Sequence, residues 1–343
     1  MATKDIVVIG ASAGGMDALQ KLVAPLPREL PASLFIVWHL SPGARSILPA
    51  ILSKAGKLPA TMPADGDRIE RGRIYVAPND HHMLLENGYI RVARGPKENR
   101  FRPAIDPLFR SAAYVYGTRV IGVVLTGGLD DGTAGLWTIK LRGGTTVVQD
   151  PAEALIRSMP LSALDNVAVD YRAPVAEIGE LLPRLVREPA PAPLEVSAEE
   201  DEKTQREIRI AKEREALEEN MQRFGELSSF TCPECHGVLS MLREGKIMRF
   251  RCHTGHAFSV GSLLTSSTEE TQARLWDAVR AVDETVFLLN KLGEEFARSG
   301  DTVSAEKCFD KAREAHERIA PVREAAMEVE ELTVEKLREE AAG

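Results

Sequence analysis

Short apolar runs alternate with amphipathic stretches through residues 1–187. Between the runs, apolar residues recur at the spacing of a helix face, and strands that alternate with such helices form a parallel sheet covered on both faces. We therefore expect an α/β fold with a doubly wound, mostly parallel sheet. Its strands are predicted near residues 6–9, 34–38, 73–77, 120–125 and 145–148.

One antiparallel element is expected within this sheet. Asn87-Gly88 separates the apolar segments 83–85 and 89–92, and Asn-Gly is a strong signal for a two-residue hairpin turn. The resulting hairpin is predicted to interrupt the parallel order of the strands.

Both pattern and charge change near residue 190. Prolines alternate with other residues at 189–193, which is typical of an extended linker. Residues 1–190 carry 22 Lys and Arg against 19 Asp and Glu, whereas residues 191–343 carry 21 against 32. The expected domains are an α/β domain at 1–187, a linker at 188–198, a charged helix at 199–227, a zinc-ribbon-like module at 228–262 and a helical hairpin at 263–343.

The last of these segments shows helical periodicity on both sides of Ser299-Gly300-Asp301, which predicts two long antiparallel helices. A capping box at Ser267–Glu270 is expected to begin the first helix, and Pro321 is expected to kink the second. Cys308 lies on the apolar stripe and is interpreted as a core residue. The charged helix is predicted to carry one apolar face, formed by Ile210, Leu217, Met221 and Phe224.

The cysteines before this hairpin have the spacing of a metal site. The pattern C-x2-C-x16-C-x3-H joins Cys232, Cys235, Cys252 and His256, and apolar segments between the two pairs predict a β-hairpin that brings them together. Three thiolates and one imidazole suit a closed tetrahedral zinc site. His236 and His253 remain alternatives to His256 as the fourth ligand. We expect a structural zinc ion on which this small module depends for folding.

Composition limits the cellular location and the classes of partner that we expect. The 343 residues are 44% hydrophobic with a net charge of −8, and no signal peptide or apolar run of about 20 residues is evident. The expectation is a cytoplasmic protein without membrane insertion, in which cysteines are thiols or metal ligands. The acidic C-terminal part argues against nucleic-acid binding, because phosphate contacts need positive charge.

Three polar side chains follow separate predicted strands: Ser12 in the turn GASAG, His39 and Asp131. The carboxyl ends of parallel strands meet at one sheet edge, so these residues can form a nucleophile, base and orienting carboxylate. Asp130 is an alternative to Asp131. A dinucleotide-binding loop is the weaker interpretation, because Ser12 replaces the second glycine of that motif and no acid follows about 20 residues later.

Six segments of residues 6–186 resemble the catalytic domain of the chemotaxis protein-glutamate methylesterases, the CheB family. They are VVIGASAGG (7–15), WHLSPG (38–43), GRIYVAPNDHHM (72–83), RPAIDPLFRSAA (102–113), VLTGGLDDGTAGL (124–136) and QDPAEALIRSMP (149–160). The resemblance implies a serine nucleophile at Ser12, a base at His39, an aspartate at Asp131, and an oxyanion hole built from the main-chain N–H groups of Ala13 and Gly128.

Two departures from the family stand out. Its members commonly have threonine and methionine where this chain has Ala13 and Gly128, which main-chain donors should tolerate. Many members also carry a phosphoacceptor receiver domain ahead of the catalytic domain, and here the first strand begins about five residues after Met1. We therefore expect a catalytic domain without receiver control.

The resemblance implies a serine hydrolase that removes methyl groups from glutamate γ-methyl esters of chemoreceptors and also deamidates glutamine, with no cofactor for catalysis. The expected partners are a methylated chemoreceptor, a receptor methyltransferase and a second copy bound through the C-terminal helices. The alternative is a scaffold protein that recruits partners through the zinc module and the helical hairpin.

Overall fold

The computed structural model describes residues 2–39, 47–212, 225–330 and 332–342. The chain folds into two compact units that divide between Leu263 and Leu264. This division reflects contacts in the folded chain, whereas the five domains expected from the sequence were drawn from composition and pattern. Those domain bounds stay predictions.

A seven-stranded sheet organises the first unit, and every neighbouring pair of its strands is parallel. The sheet order is β3-β4-β2-β1-β7-β8-β9. Its strands are β1 (Ile6–Ala11), β2 (Ser33–Trp38), β3 (Ala60–Thr61), β4 (Arg73–Val76), β7 (Val120–Val124), β8 (Thr145–Gln149) and β9 (Tyr171–Ala173). The five predicted strands are confirmed, while the short edge strands β3 and β9 lack the long apolar runs that would have revealed them.

Helices cover both faces of this sheet, as expected for a doubly wound fold. One core lies beneath α1 (Gly15–Val23), α2 (Leu48–Ala55) and α6 (Val175–Leu185). The other lies beneath α3 (Ile105–Tyr116), α4 (Thr133–Leu141) and α5 (Ser158–Asn166). Val7 and Ile9 of β1 enter the first core and Ile6 and Val8 the second, which explains why this strand is apolar at successive positions.

The Asn87-Gly88 hairpin forms, but it does not interrupt the sheet. Strands β5 (His82–Glu86) and β6 (Tyr89–Ala93) make a separate two-stranded antiparallel ribbon. Met83, Leu85 and Ile90 of the ribbon enter the core under α3. The predicted position was wrong because turn chemistry fixes the pairing of the two strands but says nothing about which sheet they join.

The proline stretch is extended and lies along the α/β domain. Thr3 pairs with Pro189 as an isolated bridge, and the Ala190 N–H donates to the Ala2 carbonyl at 2.9 Å. Helix α7 (Ala198–Lys212) follows, and its Ile208 and Ala211 pack against the hairpin. The rest of the expected apolar face, at 217, 221 and 224, lies outside the described residues.

A four-stranded antiparallel sheet completes the first unit. Its strands are β10 (Glu226–Thr231), β11 (Val238–Glu244), β12 (Ile247–Cys252) and β13 (Ala257–Ser259). The predicted hairpin between the two ligand pairs is confirmed, with its turn at Gly245, whose φ is +60°. Residues 226 and 227, which were expected in the charged helix, belong to β10 instead.

The described part of the second unit is helical. It comprises α8 (Val260–Arg298), whose first turn belongs to the first unit, α9 (Thr302–Glu328) and α10 (Val334–Ala342). Gln272 bonds to Ala326, and the ring of Phe309 lies against Gly293, so α8 and α9 run antiparallel as predicted. The capping box at Ser267–Glu270 was wrong, because α8 already begins at Val260. Ser259 and Ser262 cap it reciprocally, each hydroxyl accepting the other residue's N–H at 2.9 Å.

None of the described helices combines the length and apolar character that crossing a membrane requires.

Candidate active site

Ser12 lies in the turn between β1 and α1. Its N–H donates to the Thr126 carbonyl at 2.9 Å, and its carbonyl accepts from the Trp38 indole N–H at 2.9 Å. Gly14 has a φ of +77°, and a Cβ there would lie 2.8 Å from Leu155 Cβ. A glycine is therefore required two residues after the serine, both for the backbone angle and for the close packing.

His39 follows β2, the neighbour of β1, and stands beside Ser12. Its Nδ1 lies 3.2 Å from Ser12 Oγ and its Nε2 lies 2.9 Å from Asp131 Oδ2. An Nε2–H donated to the carboxylate leaves Nδ1 free of a proton and able to accept from the hydroxyl. The two ring nitrogens therefore join the serine and the aspartate in one hydrogen-bonded chain, and the structure brings together the three side chains singled out from the sequence.

The sheet topology explains this convergence. The chain builds outward from β1 to β2 on one side and later to β7 on the other, so β1 marks the point where the strand order reverses. Crevices form at such points, outside the carboxyl ends of the strands. Ser12, His39 and Asp131 come from the three adjacent strand ends there.

Asp131 is fully buried and saturated with donors. Oδ2 accepts from His39 and from the Ile105 N–H at 2.7 Å, while Oδ1 accepts from Asn99 Nδ2 at 3.1 Å and the Gly132 N–H at 3.0 Å. Burial alone would raise the pKa of this carboxyl, but the hydrogen bonds, led by that from His39, lower it. The N-terminus of α3 thus helps to hold Asp131 ionised.

Two neighbouring carboxyl groups behave differently. Burial, together with the charge of Asp131, raises the pKa of Asp106 to about 8, and burial raises that of Asp130 to about 6. Asp130 accepts from Ser259 Oγ at 2.7 Å. Of the two aspartates that the sequence left open, Asp131 is the one whose carboxylate reaches His39.

Phe101 is a site residue that sequence reasoning missed. Its ring stacks on the imidazole of His39, with centroids 3.8 Å apart and planes 8° from parallel. Phe101 and Asn99 both lie in residues 97–101, which we call the 97–101 loop. The loop immediately precedes the RPAIDPLFRSAA segment (102–113), so the neighbouring motif was the available signal.

The 97–101 loop is supported from beneath. His82 is fully buried, with Nε2 2.8 Å from the Pro96 carbonyl and Nδ1 accepting from the Ala104 N–H at 3.2 Å. Burial lowers the pKa of His82, so the ring is neutral. Arg102 donates to Asp80 at 2.6 and 2.8 Å and to the Gly95 carbonyl at 2.7 Å. These contacts fix both ends of the loop.

A cleft of about 750 Å³ opens over Ser12 and His39. Trp38, Met16 and Phe101 supply apolar walls, and its rim carries charges of both signs from Asp17, Asp80, Lys97, Arg100 and Arg102. An extended segment of a protein substrate could therefore place one side chain against the serine while the rim contacts its flanks.

The expected oxyanion-hole residues lie on the turns after β1 and β7. Ala13 adjoins Ser12, and its carbonyl accepts from Thr126 Oγ1 at 2.9 Å. A Cβ at Gly127 would lie 2.7 Å from Ser12 Cβ, so the turn containing Gly128 passes directly against the serine. Among the described residues, a Cβ at Gly128 would meet no atom within 4 Å, which leaves room for the methionine common in the family.

The cysteine and histidine side chains of the β10–β13 module also come together. The candidate ligand atoms of Cys232, Cys235, Cys252 and His256 all lie within 4.8 Å of one another. Cys235 Sγ is 3.6 Å from Cys252 Sγ, and His256 Nδ1 is 3.6 and 3.7 Å from the sulfurs of Cys252 and Cys232. A tetrahedral ion with zinc–sulfur bonds of about 2.3 Å holds its sulfurs about 3.8 Å apart, so this donor set fits zinc.

The alternative fourth ligands lie elsewhere. The ring of His253 packs over Gly237, where a Cβ would meet it at 2.2 Å. Neither His253 nor His236 belongs to the described cluster.

Residues 7–182 match the family described as CheB methylesterase. This is just over half of the 343-residue chain. The chain belongs to the CheB methylesterase family. The crystal structure of the Thermotoga maritima CheB methylesterase catalytic domain agrees, with a TM-score of 0.52 and 34% identity. The alignment covers 54% of this chain and all of that domain.

Curated CheB relatives cover the same region. The protein-glutamate methylesterase/protein-glutamine glutaminase 2 of Anaeromyxobacter dehalogenans is 39% identical over 183 residues, which are 53% of this chain and 54% of that protein. The Pyrococcus abyssi protein-glutamate methylesterase/protein-glutamine glutaminase is 39% identical over 52% of this chain and 50% of its own length. A putative Leptospira interrogans protein-glutamate methylesterase/protein-glutamine glutaminase is 38% identical over 53% of this chain and 94% of its own length. This chain thus spans about half the length of the first two relatives.

Proposed function

We propose that this protein is a serine-dependent esterase that hydrolyses glutamate γ-methyl esters of chemoreceptors. The observation that carries the proposal is the hydrogen-bonded chain from Ser12 Oγ through His39 to Asp131 at the base of an open cleft. Family membership supplies the substrate class, because the similar proteins are named protein-glutamate methylesterases. The same match favours an esterase over a scaffold protein.

In the proposed reaction, Ser12 Oγ attacks the ester carbonyl carbon while His39 Nδ1 takes its proton. The carbonyl oxygen gains a negative charge, which the N–H groups of Ala13 and Gly128 stabilise. Asp131 holds the tautomer of His39 and stabilises its cation. His39 then donates the proton to the departing methoxy oxygen, and methanol leaves an acyl ester on Ser12.

Water completes the cycle by the same route. His39 accepts a proton from the water as its oxygen attacks the acyl carbon, and returns a proton to Ser12 Oγ as the ester bond breaks. The products are a glutamate carboxylate and a free serine. A glutamine substrate would follow the same steps with ammonia as the leaving group, in line with the glutaminase part of the relatives' names.

We also propose a structural zinc ion held by Cys232, Cys235, Cys252 and His256. Their convergence and donor types support it. The ion would stabilise the β10–β13 module and takes no part in the ester chemistry, which needs no cofactor.

A methylated chemoreceptor is the proposed partner, and the cytoplasm, where the helical bundle of such a receptor lies, is the proposed location. Further proposed partners are a receptor methyltransferase and a second copy of this chain bound through α8 and α9. Phe287 and Leu288 of α8, 61% and 66% exposed, offer apolar surface for such contacts.

To test the proposal, we would measure the methanol released from a receptor fragment that carries deuterium-labelled methyl esters. We expect wild-type protein to release labelled methanol and Ser12→Ala to release it only at the rate of the protein-free control. Equal release by both proteins, or none by wild type, would reject the proposal.

A further inference from the structure

The 97–101 loop is attached to the β10–β13 module through its main chain. Glu98 forms a parallel bridge with Ala257 of β13. The Asn99 N–H donates to the Ala257 carbonyl at 2.8 Å, and the Ala257 N–H donates to the Lys97 carbonyl at 3.2 Å. Ala257 directly follows His256, so the loop pairs with the strand that begins beside the proposed metal site.

Side chains reinforce this attachment. Glu98 is fully buried, and it accepts from Arg249 at 2.9 Å and from Arg251 at 3.1 Å, both on β12. Lys97 pairs with Glu234 at 2.9 Å, between Cys232 and Cys235. Lys97 and Glu98 of the loop are therefore each matched by oppositely charged groups of the module.

Asn99 links this module to the catalytic carboxylate. Its Oδ1 accepts from the Ser259 N–H at 3.0 Å and from Ser262 Oγ at 3.3 Å, at the start of α8. Its Nδ2 donates to Asp131 Oδ1 and to Asp106 Oδ2, each at 3.1 Å. All four contacts are within hydrogen-bonding distance, so the amide has one orientation that satisfies both sides.

The backbone of the loop is held in an uncommon conformation. Asn99 and Arg100 have φ values of +48° and +77°. Such angles cost free energy in residues other than glycine and persist where the surroundings determine them. Here the loop is held by β13 on one side. On the other side, Asn99 bonds to Asp131, and Phe101 stacks on His39.

We propose that Asn99 is a positioning residue for the esterase, and that Ser259 at the end of β13 and Ser262 at the start of α8 set its orientation. The inference rests on the proposed function and adds that the α/β domain alone does not fix its own active site. Asp131 would retain its bonds from α3 without the module, but the amide that restrains its Oδ1 would lose its anchor.

Two substitutions test the relay. Asn99→Asp keeps the shape and the tolerance of positive φ but cannot donate to Asp131. Ser262→Ala removes the hydroxyl that donates to Asn99, together with the bond that this hydroxyl accepts from the Ser259 N–H at the start of α8. Ser267→Ala is the matched control, an exposed serine on the same helix. The measurements are kcat and KM for methanol release and the ¹⁵N chemical shifts of the His39 ring, which report its tautomer.

We expect Asn99→Asp to lower kcat about a hundredfold with KM within twofold, as for a misplaced catalytic group. Its His39 shifts should move from a single tautomer toward a mixture. Ser262→Ala should change both in the same direction by a smaller amount, and Ser267→Ala should change neither. If Asn99→Asp does not fold, Ser262→Ala decides.

Wild-type kcat and wild-type ring shifts in Ser262→Ala and Asn99→Asp would overturn the inference. A fall in kcat without any change in the ring shifts would overturn it too, because the loss would not arise from positioning. If wild-type protein releases no methanol, the proposed function fails, and the ring shifts of the variants still decide whether Asn99 positions His39 and Asp131.

Discussion

Phe101 lies flat on His39, with the two rings 3.8 Å apart between centroids and 8° from parallel. In the proposed reaction, the imidazole must keep one nitrogen toward Ser12 and the other toward Asp131, and a stacked ring opposes any rotation out of that plane. The aromatic contact therefore restrains the side chain to which the proposed reaction assigns proton transfer.

Phe101→Ala should lower kcat about tenfold, because an imidazole with more rotational freedom spends less time in the reactive geometry. Methanol release at saturating substrate measures the effect. Tyr171→Ala, which removes a 36% exposed ring from β9, is the control. Equal kcat values for Phe101→Ala and wild type would show that stacking has no role in catalysis.

Gly127→Ala should reduce activity although Gly127 has no reactive group. Its Cβ would lie 2.1 Å from Met159 Sδ and 2.7 Å from Ser12 Cβ, so the turn must shift and displace the serine. We expect a loss of kcat of about a hundredfold.

Gly66→Ala is the control. It places a side chain on a residue with a φ of +85°, where a Cβ would meet no atom of the described chain within 4 Å. It should lose about 1 kcal/mol of stability and keep its activity. Full activity in Gly127→Ala would refute the close approach.

Removal of the metal should destabilise the β10–β13 module, since its small core depends on the crosslink between two ligand pairs. We expect one zinc per purified chain by elemental analysis, a lower Tm after chelation, and recovery when zinc is added. Cys235→Ser should lose the metal, while Cys308→Ser, on α9, should retain it. Wild-type protein that binds no zinc at micromolar concentration would contradict the proposed site.

Acid should weaken the first unit through Glu207. Burial alone would raise the pKa of this carboxyl, but Arg251, Arg249 and Arg110 lower it to about 2. A pKa below the unfolded value of about 4.5 means that the stabilisation is complete above pH 4.5 and is lost as the pH falls toward 2.

Glu207→Gln should therefore cost about 3 kcal/mol in the free energy of unfolding at pH 7, as is usual when a buried ion pair loses one charge. The difference from wild type should shrink as the pH falls from 5 to 2. Urea unfolding at several pH values measures it, with the exposed Glu317→Gln as control. A difference that is independent of pH would show that Glu207 is not held ionised by the arginines.

The fold was predictable from the sequence, and so was the convergence of the candidate site residues, because both depend on short local patterns. Apolar runs define β1, β2 and β7, and Ser12, His39 and Asp131 lie close after their ends. The ligand spacing of Cys232 and Cys235 is likewise local. Asn99 and Phe101 were missed, because their contacts join segments far apart in the sequence: Phe101 stacks on His39, and Asn99 bonds to Asp131 and to Ser259. The capping box was misplaced for a similar reason: α8 begins at Val260, where Ser259 is already engaged by Asp130.

The most direct test of the account compares methanol release by Ser12→Ala, His39→Ala and the double variant. Groups that act as one unit lose their contribution together, so each single variant should lose about 10⁴- to 10⁶-fold in kcat and the double variant should lose no more. Ser304→Ala, a serine on α9, is the control and should match wild type. Near-normal turnover in either single variant, or losses that multiply in the double variant, would contradict a shared role for Ser12 and His39.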